Sequence, residues 1–142
     1  MRHFALFVIL LLVTFLAYLS SCQSNISIQT AQYAVNGQKV YKAHCENCHG
    51  GKGEGLGTLY PPLTDKNFFA ENRKKLACIV RHGLQEEIEV SGQKYDQPMP
   101  GNTVLTDLDI AYVLTYITTT FGSIDSTYTH EEVKSALAEC RP

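Results

Sequence analysis

The chain has 142 residues, 44% of them hydrophobic and 18% charged. At roughly 150 residues per domain this is material for one folded domain, and the apolar share excludes wholesale disorder. Twelve Lys and Arg against fourteen Asp and Glu leave a net charge of −2 and a pI near 6.2, which excludes the basic surplus of a nucleic-acid binder.

The apolar residues are unevenly spread. Met1-Arg2-His3 is a short positive start, and Phe4 to Leu19 is an apolar run of sixteen interrupted by Thr14. Small residues and a cysteine follow, Leu19-Ser20-Ser21-Cys22. A positive end, an apolar centre and small residues, in that order, mark a secretory signal. A membrane span needs about 20 apolar residues, so the short run argues against an uncleaved anchor. Leu19-Ser20-Ser21-Cys22 resembles the bacterial lipobox, which implies lipid on Cys22. Residues 1–21 are therefore expected to be removed as a signal peptide. Residues 22–30, uncharged and without helical periodicity, are expected to tether a domain of residues 31–142 to the periplasmic side of a membrane. The eight residues after Cys22, fully extended, reach at most about 28 Å. The mature chain keeps eleven basic and fourteen acidic residues, a net charge of −3.

Five cysteines punctuate the chain: Cys22, Cys45, Cys48, Cys78 and Cys140. Cys45-Glu46-Asn47-Cys48-His49 has the C-x-x-C-H spacing of c-type haem attachment. Random placement of five Cys and five His in 142 positions would produce it roughly 0.006 times per chain, so chance is a poor explanation. A structural zinc site would need a second Cys/His pair at ligand spacing, and none is present. A thioredoxin-like redox pair would need a βαβ context, whereas these surroundings read as helical. The spacing suits one covalent haem. Two thiols three residues apart on a helical turn reach the two vinyl groups on one haem edge, and His49 is then placed to bind the iron as proximal ligand. Covalent attachment also staples a small domain whose apolar core alone is marginal.

The mature chain holds one methionine, Met99, within Gln97-Pro98-Met99-Pro100-Gly101. Lone methionines often fill cores. Prolines on both sides, however, disfavour helix and fix an extended backbone, as a loop must if it is to aim a sulfur at iron. Met99 is thus the expected sixth ligand. Its competitors are weaker. His44 is too near the attachment site to reach the opposite face. His82 lies near the end of a predicted helix. His130 sits beside Glu131 and Glu132 and reads as solvated.

The pattern predicts helices around this motif. Residues 31–48 form one, with Val35, Val40, Tyr41, His44 and Cys48 on one side and Gly37 offering a close approach. Asn72 is a candidate N-cap for a helix to His82, with Leu76, Ile79 and Val80 in a stripe and Gly83 at its C-terminal cap. Ile88-Glu89-Val90 and Gln93-Lys94-Tyr95 alternate around Ser91-Gly92 as a small hairpin. Thr106 with Asp109 makes a capping box for a helix bearing Leu108, Ala111, Val113, Leu114 and Ile117. Thr129 with Glu132 repeats the signal for a last helix, in which Val133, Ala136, Leu137 and Cys140 share one face.

These positions together resemble class I c-type cytochromes of the monohaem, His/Met-ligated kind. The pattern is Gly37, Tyr41, Cys45-x-x-Cys48-His49-Gly50, Pro61-Pro62-Leu63, Met99 in a Pro-flanked loop, and a helix with Tyr112 and Tyr116. It covers about residues 31–120. The resemblance implies an all-α cytochrome c fold around one haem, here with a small β-hairpin and an extra C-terminal helix, and with the first and third helices crossing. It also implies that the carbonyl of Pro61, twelve residues past His49, accepts the imidazole Nδ1–H, a bond that fixes tautomer and ring orientation.

With both axial positions filled by protein, the expected function is electron transfer with redox protein partners rather than catalysis, by a monomer with no nucleic-acid partner. A haem sensor or peroxidase-like protein with a labile sixth ligand is the alternative of a different class. A haem subunit of a larger respiratory or dehydrogenase complex is a third reading, with the same haem chemistry. Cys78 and Cys140 remain after the lipid and haem cysteines are assigned. Cys78 lies about 200° round its helix from Leu76, facing outward, and Cys140 lies on the apolar face of a helix that needs something to dock on. In an oxidising compartment the pair is expected to form a disulfide, the alternative being two separate buried thiols.

Overall fold

A computed structural model describes residues 2–19 and 26–140. The cysteine expected to carry lipid, Cys22, lies outside the described residues, as does the cleavage point before it. Helix α1 (Arg2–Leu19) holds the apolar run, and its side chains from Phe4 to Phe15 are exposed. Sixteen apolar residues rise about 24 Å as a helix. Among the described residues no helix is long and apolar enough to cross a membrane.

Helix α2 (Ile28–His44) begins earlier than expected. Ser27 is extended and its hydroxyl accepts from Thr30 N at 3.0 Å, an N-cap that the neighbouring polar residues concealed. Thr30 is buried, and its hydroxyl lies 2.6 Å from that of Thr127. The expected tether of residues 22–30 is therefore too long: residues 27–30 belong to the folded domain. At the other end Cys45 leaves helical geometry (φ −125°), and α3 (Glu46–His49) is a separate turn rather than a continuation. Val35 and His44 were expected on the same side of this helix as Tyr41, and both are exposed whereas Tyr41 is buried.

Gly37 faces α6 (Asp107–Thr120), the helix with which α2 makes its main crossing. A Cβ at Gly37 would run into the Tyr112 carbonyl oxygen and sit 2.7 Å from Tyr116 Cβ. The two backbones approach as closely as they do only because that atom is missing. Gly37→Ala gains about 1 kcal/mol of helix propensity, but separating the helices costs about 1–3 kcal/mol. Denaturant unfolding should show a net loss of stability, and a rise would contradict this close crossing. Helix α6 carries the predicted capping box, with Thr106 Oγ1 accepting from Asp109 N at 3.1 Å and Asp109 Oδ2 accepting from Thr106 N at 3.0 Å. Ile110, Ala111, Val113, Leu114 and Ile117 on it form the centre of the core, joined by Tyr41, Phe69, Leu76 and Val133.

The expected helix from Asn72 to His82 is the shorter α5 (Leu76–His82), and a separate helix that was not foreseen, α4 (Lys66–Asn72), precedes it. Asp65 caps α4 through bonds from Asn67 N and Phe68 N. Asn72 ends α4 instead of opening α5, its side chain donating to Phe68 O at 2.9 Å. Gly83 follows α5 with φ 81°, as its C-terminal position predicts. The hairpin pairs β2 (Ile88–Val90) with β3 (Gln93–Tyr95). Both turn residues, Ser91 and Gly92, have positive φ, the geometry of a two-residue type I′ turn. A second short pairing, β1 (Gly83–Leu84) with β4 (Met99–Pro100), was not foreseen.

Helix α7 (His130–Glu139) starts at Thr129, whose hydroxyl accepts from Glu132 N at 3.1 Å. The Glu132 carboxylate is turned to Arg73, which donates to it from Nε at 2.8 Å and from Nη2 at 2.9 Å. The same guanidinium lies 4.0 Å over the Tyr128 ring. Burial pushes the Tyr128 phenol up to about 12, with Arg73 pulling the other way. His130, expected to be solvated, is half-buried.

Candidate haem site

Helices α2 to α6 and both short sheets enclose a cavity of about 220 Å³. Cys45, Cys48 and His49 line it from the break between α2 and α3, and Met99 lines it from β4. Its walls are apolar: Leu76, Ile79 and Val80 from α5, Leu114 and Ile117 from α6, with Phe68, Phe69, Tyr95 and Leu105 closing the remainder.

Each donor is held by identifiable bonds. Tyr41 is buried in the core, and its hydroxyl donates to Gly50 O, clamping the segment after His49. Burial raises the Tyr41 phenol far above its ordinary range, so it stays a neutral donor. His49 Nδ1 donates to the Pro61 carbonyl at 3.1 Å, which leaves Nε2 with the free lone pair. Burial lowers the His49 pKa, with the Pro61 bond opposing; the ring is accordingly neutral, as a metal ligand must be. Pro61 is itself placed by the turn before it, where Leu56 bridges to Tyr60 and Leu63 N donates to Gly53 O at 2.7 Å. Cys45 and Cys48 are not bonded to each other. Burial, then the charge of Cys48, push the Cys45 thiol up to about 11, so it is protonated at neutral pH.

Met99 is fixed by backbone as well as by its prolines. Leu84 faces Met99 across the β1–β4 pair. A Cβ at Gly83 would collide with the Met99 carbonyl oxygen and lie 2.6 Å from Gly101 N, so β4 rests directly on a residue that must be glycine in both size and φ. Downstream, Asn102 N donates to Val80 O at 2.9 Å. Arg81 donates to Leu105 O and to Asp107 Oδ1, each at 2.7 Å. Sequence reasoning missed Arg81 and the β1–β4 pair. A lone Arg at a helix end carries no pattern, and two-residue strands are too short for any periodicity to register.

The other expected residues fall as follows. His44 is exposed at the cavity rim, whereas His82 and His130 do not line the cavity. Cys78 on α5 and Cys140 after α7 have Cα atoms 5.8 Å apart and are joined across the outside of the domain.

The residues fit a haem. Two unpaired thiols at C-x-x-C spacing, an imidazole with a free Nε2 and a thioether surround one apolar cavity. That soft and borderline donor set suits iron in a porphyrin better than a hard cation. When bound, such a group supplies a one-electron ferric/ferrous couple.

The comparisons with known proteins agree. A family model described as cytochrome c matches residues 34–121. A cytochrome c-552 of Thermus thermophilus is 35% identical over 114 residues, covering 74% of this chain and 86% of the relative. A second cytochrome c-552, from a named strain of the same species, shows the same identity over 76% of its length. Helix α7 and Cys140 lie beyond the residues matched by the family model. With the motif, the cavity and these matches in agreement, the chain belongs to the cytochrome c family, the haem electron-transfer proteins whose cofactor is a covalently bound c-type haem.

Proposed function

We propose that the chain is a monomeric one-electron carrier. In this reading Cys45 and Cys48 hold the haem covalently, His49 and Met99 are its axial ligands, and Pro61 orients His49. One observation carries the reading: an imidazole and a thioether from separate elements line the same cavity, each tied by its own bonds. Filling both axial positions leaves none for oxygen or substrate, which favours a carrier over a sensor or peroxidase. A thioether ligand favours ferrous iron and raises the potential, and the apolar walls work in the same direction by disfavouring the extra charge of ferric iron. The test is the ferric spectrum. A methionine–iron charge-transfer band at the red end is expected; its absence at neutral pH would remove Met99 from the iron.

The chain is further read as exported and held at the periplasmic side of a membrane by lipid on Cys22, with redox proteins as electron donor and acceptor. The Cys78–Cys140 bridge is the disulfide appropriate to that compartment. Cys22→Ser should release or mislocalise the protein with its haem intact, as cell fractionation would show. A mature wild-type N-terminus at any residue other than 22 would refute the lipid anchor.

A further inference from the structure

We propose that the outward face of α2 is a membrane-contact surface, which lays this helix against anionic phospholipid and so fixes the orientation of the haem domain. The proposal rests on the anchored reading above and adds to it a second point of contact.

Ile28 and Val35 are 81% and 62% exposed, although both are large and apolar. With exposed Ala31 between them they fall on one stripe, and Lys39 and Lys42, also exposed, continue it towards the haem end. At 100° per residue these five positions occupy an arc of about 80°, opposite the face that carries Gly37 and Tyr41 into the core. The face is therefore a free helix surface, apolar in its first half and basic in its second.

Its charge is distinctive within the chain. All fourteen Asp and Glu occur from Glu46 onward, where nine Lys and Arg accompany them for a net charge of −5. Between Cys22 and Cys45 there are only the two lysines and no acid. An anionic bilayer attracts lysines placed at its surface and repels the acidic remainder of the molecule. It thereby favours this face, which carries two lysines and no acid. Isoleucine and valine beside the lysines can enter the boundary between headgroups and acyl chains.

Chain length keeps the contact within reach once Cys22 is anchored. Residues 23–27 reach at most about 18 Å, so the first turn of α2 stays near the surface. A tether alone would let the domain tumble. A helix of 17 residues, about 25 Å long, laid along the bilayer brings Cys45 and the haem cavity to a set height. Electron exchange is then confined to partners that approach a defined side.

The test uses the lipidated holoprotein on oriented bilayers of mixed phosphatidylglycerol and phosphatidylcholine, with polarised absorption reporting the haem plane. A fixed dichroism is expected, lost in the Lys39→Glu/Lys42→Glu variant and on pure phosphatidylcholine. A second arm uses Cys22→Ser holoprotein exported behind a signal that is cleaved without lipid, so that residues 1–21 are absent, with vesicles of the same mixture at about millimolar lipid. Measurable binding is expected, falling roughly tenfold or more in the double lysine variant and again in Val35→Asp. All of these positions are exposed, so an unchanged haem spectrum verifies the fold. Dichroism or vesicle binding that ignores the substitutions would overturn the proposal, as would the absence of vesicle binding. Loss of binding to a redox protein without any effect on vesicles would make this a protein-docking face instead. Because the second arm lacks the lipid, its outcome is separable from that of the anchor.

Discussion

Met99→Ala is expected to leave the haem covalently attached while lowering its potential by on the order of 100 mV or more, since axial-ligand identity is the protein's strongest lever on haem potential. Attachment depends on Cys45 and Cys48, which are distant in sequence from the change. The loop also has reasons to persist. Pro98 and Pro100 restrict its backbone, the β1–β4 pair is made by main chain, and Asn102 and Arg81 hold the residues beyond it. What disappears is the thioether, together with the preference for ferrous iron that it confers. The vacated position should then admit an added ligand such as imidazole or carbon monoxide. Redox titration and ligand-binding spectra check both effects. An unchanged potential and a closed site in Met99→Ala would show that the sulfur does not reach the iron, and the assignment of Met99 as sixth ligand would be wrong.

Much of this site was legible because its determinants are local. Cys45, Cys48 and His49 declare themselves by spacing, and Met99 by being flanked with prolines. The capping box at Thr106 and the N-cap at Thr129 are complete within four residues. What stayed hidden depends on contacts between distant segments. Arg73 is an unremarkable member of a basic run until Glu132 and Tyr128 are brought to it from α7. Asn72 has the chemistry of an N-cap, but it ends α4, the helix that Asp65 caps, and α5 begins at Leu76 without a side-chain cap. Ser27 and Thr30 read as tether because nothing near them is charged or periodic. Their place in the fold comes from Thr127, almost a hundred residues away. Val35 and His44 match a helical stripe in sequence yet lie outside the packed face, because Gly37 and Tyr41 decide which side of α2 meets α6.

Removing the Cys78–Cys140 bridge is expected to cost about 4 kcal/mol of stability. The two cysteines close a loop of 62 residues, and in the chain-entropy model a loop of that size constrains the unfolded state by this amount, an upper figure because native strain reduces it. The loss should be local first. Helix α7 keeps only Val133 fully buried and the Arg73–Glu132 pair about one-third exposed, and a partly exposed ion pair contributes about 1 kcal/mol or less. With the bridge gone, α7 is therefore the segment with least to hold it. Its release would uncover the outer sides of α5 and α6, whose inner sides form the cavity wall through Leu76, Ile79, Val80, Leu114 and Ile117. Cys78→Ser/Cys140→Ser should retain haem but unfold at lower denaturant, with hydrogen exchange accelerated in residues 130–139 before the rest. Mass spectrometry of wild-type protein without reductant should find both cysteines oxidised. Free thiols at both positions in exported protein would show instead that α7 is held by packing and the Arg73 contacts alone.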